Sequence, residues 1–154
     1  MGFFGKSKST SFLTEAEQKM VVDAIQEAEK STSGEIRVFI EKKCAYPDPM
    51  DRAKEVFYHL KMDATDLKNG VLVYLAHEDH RFCLLGDKGI HEKTGVDYWQ
   101  QEVEVAITHF KQNKYAHGLK TIILDIGLSL SVHFPYDSKT DKNELPDEIV
   151  FGND

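Results

Sequence analysis

Cysteine is scarce in this sequence: Cys44 and Cys83 are the only two among 154 residues. At most one disulfide can form, and no Cys/His spacing typical of a zinc site is present. Both lie in or beside apolar runs, the pattern of buried thiols in a reducing compartment, so a cytoplasmic protein is expected. Long apolar runs are missing too. None reaches the roughly 20 residues that span a bilayer, so no membrane span is expected. The opening stretch MGFFGKSKSTSF lacks the apolar core of a secretory signal. It begins Met-Gly, but Lys6 breaks the myristoylation pattern. Basic residues are outnumbered: 19 Lys and Arg against 26 Asp and Glu leave a net charge of -7. With no basic stripe to offset repulsion from phosphate, a nucleic-acid partner is disfavoured. The sequence has no nucleophile elbow, no P-loop and no dinucleotide-binding glycine motif after a strand.

What is present suits one globular domain, with 41% hydrophobic and 29% charged residues. Thr14 and Glu17 read as a capping box, and Val21, Ala24, Ile25 and Ala28 continue a helical period. EIRVFIE at 35–41 alternates as a strand does. Asp48 and Pro49 open a second helix as N-cap and first residue. VLVYLA at 71–76 is continuously apolar, as in a strand covered on both faces. HEDH then turns the chain into RFCLLG, which makes a hairpin. DKGIHEK is a loop or a short helical turn. Trp99, Val103, Ala106 and Phe110 mark an amphipathic helix, and a nearly all-apolar helix follows from Tyr115 until Pro135 stops it. Three segments are therefore expected: a flexible N-terminus over 1–12, an α/β domain over 13–135, and an acidic tail over 136–154, solvated or loosely docked.

The order helix, strand, helix, strand, strand, helix, helix implies an α/β/α three-layer sandwich on a small mixed sheet. A right-handed crossover makes the first two strands parallel, and the hairpin makes the third antiparallel. Oxygen donors then gather at one end of the sheet. Asp87 follows the returning strand, Asp66 and Asn69 precede the second strand, and Glu35 opens the first, with His91 and Glu92 on the next loop. Such a set suits calcium or magnesium. At the hairpin end, Glu78 and Asp79 are the alternative, with Glu41, His77 and His80 as further donors for a transition metal. Each feature also has a plain structural reading. HEDH is a polar turn, Asp87 a helix cap, Gly86 and Gly89 backbone requirements, and Trp99 a core residue.

The stretches LTEAEQKMVVDAIQEAEKSTSGEIRVFIE, NGVLVYLA, DHRFCLLGDKGI and FKQNKYAHGLKTII, in this order and spacing, resemble the TPM domain family over about residues 13–134. NELPDEIV near the end is similar to a tail of soluble bacterial members. The resemblance implies a Rossmann-like sandwich that binds calcium or magnesium. Plant thylakoid members are described as acid phosphatases acting in photosystem II repair, and other members are membrane-tethered accessory proteins. In the family's dNGvL segment, Lys68 stands where an acid is common, before Asn69-Gly70-Val71-Leu72. The family's Gly-Leu-Glu step falls on Gly89-Ile90-His91, so His replaces a carboxylate.

The expected function is a cation-binding or accessory module whose partner is a protein or a small phosphorylated ligand. The alternative is a metal-dependent acid phosphatase with Asp66 or Asp87 as general base. Arg52 and Arg81 are the only candidates for a phosphate clamp.

Overall fold

The computed structural model describes residues 12–137 and 147–152. Its elements follow the chain as α1 (Glu15–Glu29), β1 (Glu35–Glu41), α2 (Pro49–His59), a 3-10 turn (Met62–Ala64), β2 (Gly70–Ala76), β3 (Arg81–Gly86), α3 (Lys88–Thr94), α4 (Val96–Phe110), α5 (Tyr115–His133) and β4 (Val150–Phe151). The sheet order is β3-β2-β1-β4. β1 and β2 run parallel with Glu35 opposite Gly70, and β3 returns antiparallel with Gly86 opposite Val71. The expected α/β/α sandwich and the directions of its first three strands are therefore observed.

Local chemistry explains where the helices begin. Thr14 Oγ1 accepts from Glu17 N–H and Glu17 Oε1 accepts from Thr14 N–H, closing the capping box. Asp48 accepts from Met50 N–H ahead of Pro49. DKGIHEK resolves as the seven-residue α3, capped by Asp87. Among the described residues, no helix is long and apolar enough to cross a membrane.

Each face of the sheet builds its own core. Ile36, Val38 and Ile40 with Val71, Val73 and Leu75 pack under α1, α4 and α5. Phe39, Leu72, Tyr74 and Ala76 pack under α2 and Met62. Both central strands are buried along their full length, which is why β2 shows no polar alternation. α1 and α5 approach closely at Ala28 and Gly127. A Cβ on Gly127 would lie 2.5 Å from that of Ala28, so this crossing requires glycine.

The end of the tail docks on the sheet. Val150 and Phe151 pair in parallel with Phe39 and Ile40 of β1, Gly152 N–H donates to Ile40 O at 2.8 Å, and Ile149 and Phe151 pack on the core. A two-residue fourth strand thus pairs along one sheet edge, where a solvated or loosely docked tail was expected. The reason is local: Ile149, Val150 and Phe151 form a short apolar run that an acidic average conceals. The expected flexibility of residues 1–12 concerns a segment outside the described residues except for Phe12, whose ring stacks on His77 at 3.9 Å.

Deleting residues 138–154 should leave a cooperative fold but lower its stability by about 2–4 kcal/mol, from the half-buried side chains of Ile149, Val150 and Phe151 and the lost edge pairing. Urea unfolding of the shortened chain measures this. An unchanged midpoint would mean that β4 contributes nothing.

Candidate functional site

The parallel register brings the starts of β1 and β2 and the exit of β3 to one end of the sheet. Asp87 N–H donates to Gly70 O at 2.8 Å, and Glu35 N–H to Asn69 O at 3.4 Å. Asn69 is 1% exposed. Its Nδ2 donates to Ser33 Oγ at 3.3 Å, while its Oδ1 is buried without a hydrogen-bond partner among the described residues. Asp87 Oδ1 accepts from Lys88 N–H at 2.8 Å, and its Oδ2 is buried and likewise has no partner among the described residues. An orphaned buried oxygen normally costs about 1–3 kcal/mol, so two at one sheet end call for a donor or a cation. Glu35 is buried at the same end. α3 sits directly on the preceding loop, because a Cβ on Gly89 would fall 2.3 Å from Leu67 O and 2.5 Å from Lys68 O.

The other expected ligands sit differently. Asp66 is exposed on its loop. His91 is exposed on α3 and lines a groove beside Trp99. Lys68, in the left-handed region at φ 52, directs its ammonium to Asp63 O at 2.5 Å. Among the described residues, no group of three or more His, Cys, Asp or Glu side chains is arranged to hold a metal. Asparagine and backbone oxygens, which hard cations accept, lie outside that set of residue types.

The hairpin end does not gather the donors expected of it. Asp79 Oδ2 accepts from Cys44 N–H at 2.7 Å and ties down the loop after β1. Glu78 is exposed. Glu41 is held by Arg52 through Nε and Nη2, each at 2.9 Å, and by the Tyr74 hydroxyl. Arg52 also reaches Glu55 at 2.5 Å, and Arg81 donates to Pro47 O at 2.7 Å. The two expected phosphate-clamp arginines are therefore engaged in structural bonds. The hydrogen bond to Glu41 holds Arg52 more firmly protonated than an ordinary arginine.

Sequence reasoning missed two half-buried carboxyls, Glu29 and Glu102. Glu29, the last residue of α1, turns inward and accepts from Ile36 N–H at 2.8 Å, capping a β1 edge position that β4 does not reach. Burial, first, and a hydrogen bond to Asp147 push its carboxyl up to about 10. Glu102 on α4 is pushed up to about 7 by burial and by Asp125. A glutamate at the end of an amphipathic helix normally faces solvent, so no sequence signal marks Glu29.

The layered α/β fold and the paired loops at its sheet end define a small sandwich module, and the comparisons assign its family. The TPM domain profile matches residues 7–128, and the chain belongs to the TPM domain family. It is similar to the BA42 protein of the psychrophilic bacterium Bizionia argentinensis, with 46% identity and a TM-score of 0.85 over 92% of this chain and 96% of that one. The N-terminal domain of the cg2496 protein of Corynebacterium glutamicum shares the fold alone. It has 15% identity and a TM-score of 0.64, covering 89% of this chain and 85% of that one. No curated protein matches the chain.

Two outcomes follow from the titratable groups. The fold holds Glu29 neutral, whereas the unfolded chain ionises it near 4.5. Its contribution is therefore full below that value and declines as pH rises toward about 10. Glu29→Gln keeps a neutral acceptor for Ile36 and a donor for Asp147. It should melt higher than wild type at pH 8, with the gap closing near pH 4. Equal melting at both values would reject the assignment. Burial also pushes the Cys83 thiol up to about 12, so iodoacetamide at pH 8 should label Cys44 first and Cys83 only on unfolding. Rapid labelling of Cys83 in the folded protein, read by mass spectrometry, would contradict this.

Proposed function

We propose that this TPM domain is a binding or accessory module that takes up calcium or magnesium at the start of β2, with Asn69 and Asp87 as the principal ligands and Glu35 beside them. The observation that carries the reading is the pair of buried, unpartnered oxygens, Asn69 Oδ1 and Asp87 Oδ2. One amide and one carboxylate oxygen suit a hard cation that completes its shell with backbone carbonyls and water. Leu67 O and Lys68 O lie against Gly89 in the adjacent turn. Asp66 is a candidate outer ligand, and His91 belongs to the groove wall more naturally than to this set.

A cation held there would leave open positions for a carboxylate or phosphate group of a protein partner or a small phosphorylated ligand. A phosphomonoesterase reading draws less support, because Arg52 and Arg81 are committed elsewhere. A cytosolic setting belongs to the same proposal and is supported by the free thiols of Cys44 and Cys83.

A cation that binds only the folded chain should stabilise it by ~2.7 kcal/mol at about 100 times its dissociation constant. Calorimetric titration of calcium and magnesium should give weaker binding to Asp87→Asn, by about tenfold or more. Asparagine caps a helix as well as aspartate does, so the variant isolates the charge. Binding as tight as wild type would move the site elsewhere. A strong preference for zinc would point instead to the histidines of the hairpin turn.

A further inference from the structure

The two edges of the sheet are finished differently. β4 pairs with β1, but among the described residues β3 pairs with β2 alone. The bond from Asp87 N–H to Gly70 O sets the phase of the ladder. Residues 81, 83 and 85 turn their backbone groups toward β2, and those of Phe82, Leu84 and Gly86 face outward, since the direction alternates along an antiparallel strand. Natural edges are usually blunted by a central lysine, a proline, a bulge or a covering segment. Here Arg81 stands at the first position only, and Phe82-Cys83-Leu84-Leu85-Gly86 follow with no charge and no proline.

A groove of about 440 Å³ runs along this edge. Met50 of α2 stands on one side, Trp99 and Val103 of α4 on the other, and residues 83–86 form its floor. The Trp99 indole packs against Gly86 so closely that a Cβ there would lie 2.6 Å from the ring. Trp99 is 7% exposed, and its Nε1 is buried with no acceptor among the described residues. The rim carries exposed Glu104, Gln100 and His91.

We propose that the free edge of β3 and this groove form a docking site for an extended polypeptide segment of a partner protein, which adds as a further strand. The match is chemical. Alternating outward N–H and C=O groups recognise a peptide backbone at strand spacing and nothing smaller. Because helices stand on both faces of the edge, both alternating sets of side chains meet apolar walls. The favoured segment is therefore a short run of β-branched or aliphatic residues, flanked by a basic residue to pair with Glu104. This site adjoins the proposed cation ligand Asp87 at Gly86 but uses other groups and does not require a bound cation.

The test selects binders of the full chain from a displayed library of random decapeptides, then titrates a selected synthetic peptide into isotope-labelled protein. The expected result is a consensus of apolar β-formers with amide shifts at Phe82–Gly86 and at the Trp99 indole. Methylating alternate backbone nitrogens of the peptide should weaken binding by about tenfold or more, as each lost hydrogen bond costs roughly 1 kcal/mol. Val96 lines the groove and is 56% exposed, so Val96→Glu should weaken binding while leaving the unfolding midpoint in place. Val103→Glu is a second, deeper probe, with its fold checked by the same spectrum. No consensus, shifts confined to another surface, or equal binding of the methylated peptide would overturn the proposal. So would concentration-dependent dimerisation through β3, which would make a second copy of this chain the occupant.

Discussion

Everything in this fold hangs on the parallel ladder between β1 and β2. Seven consecutive partners, from Glu35 opposite Gly70 to Glu41 opposite Ala76, lock two strands that are buried on both faces. A slip of one residue would carry Ile36, Val38 and Ile40 out of the core under α1, α4 and α5 and set Arg37 and Glu41 into it. Once that register is set, β3 can return only antiparallel through a short turn, and the loops before β2 and after β3 must meet at the same end.

The two sheet ends have been given different electrostatic treatments. At the hairpin end Glu41 is held by Arg52 and Tyr74, Glu55 by Arg52 and Tyr46, and Asp79 by the Cys44 amide. That end is a clamp that fastens α2 and the loop after β1 to the sheet. At the opposite end Asn69 Oδ1 and Asp87 Oδ2 are buried without partners, in a region that burial would otherwise penalise. Two of the five buried side-chain atoms that lack a partner among the described residues thus fall at this end, the others being Arg37 Nε, Trp99 Nε1 and Glu102 Oε1.

The edges show a similar contrast. β4 and the Glu29 carboxyl together occupy the outward groups of β1, the strand at Phe39 and Ile40 and the side chain at Ile36. Among the described residues no such cover reaches the groove side of β3, where apolar walls stand beside the outward backbone groups.

The sequence by itself determined what rests on local periodicity and capping. The capping box at Thr14, the Asp48-Pro49 start, the apolar continuity of 71–76 and the four-residue turn specified the helices, strands and layers, because each is decided within a few residues. Handedness and hairpin geometry then placed Asp87, Asn69 and Glu35 at one end, since chain direction needs no side-chain detail. Tertiary structure alone decided the rest. Whether Glu41 is a ligand or the mate of Arg52 depends on how α2 lies across the sheet. Whether Glu29 faces water or Ile36 depends on where the tail returns. Phe151 joins β1 because a distant strand edge offers it backbone partners, and an acidic average over nineteen residues cannot register a three-residue apolar run. Burial and pairing are properties of neighbours brought together from far along the chain, and neither is written in the spacing of any one segment.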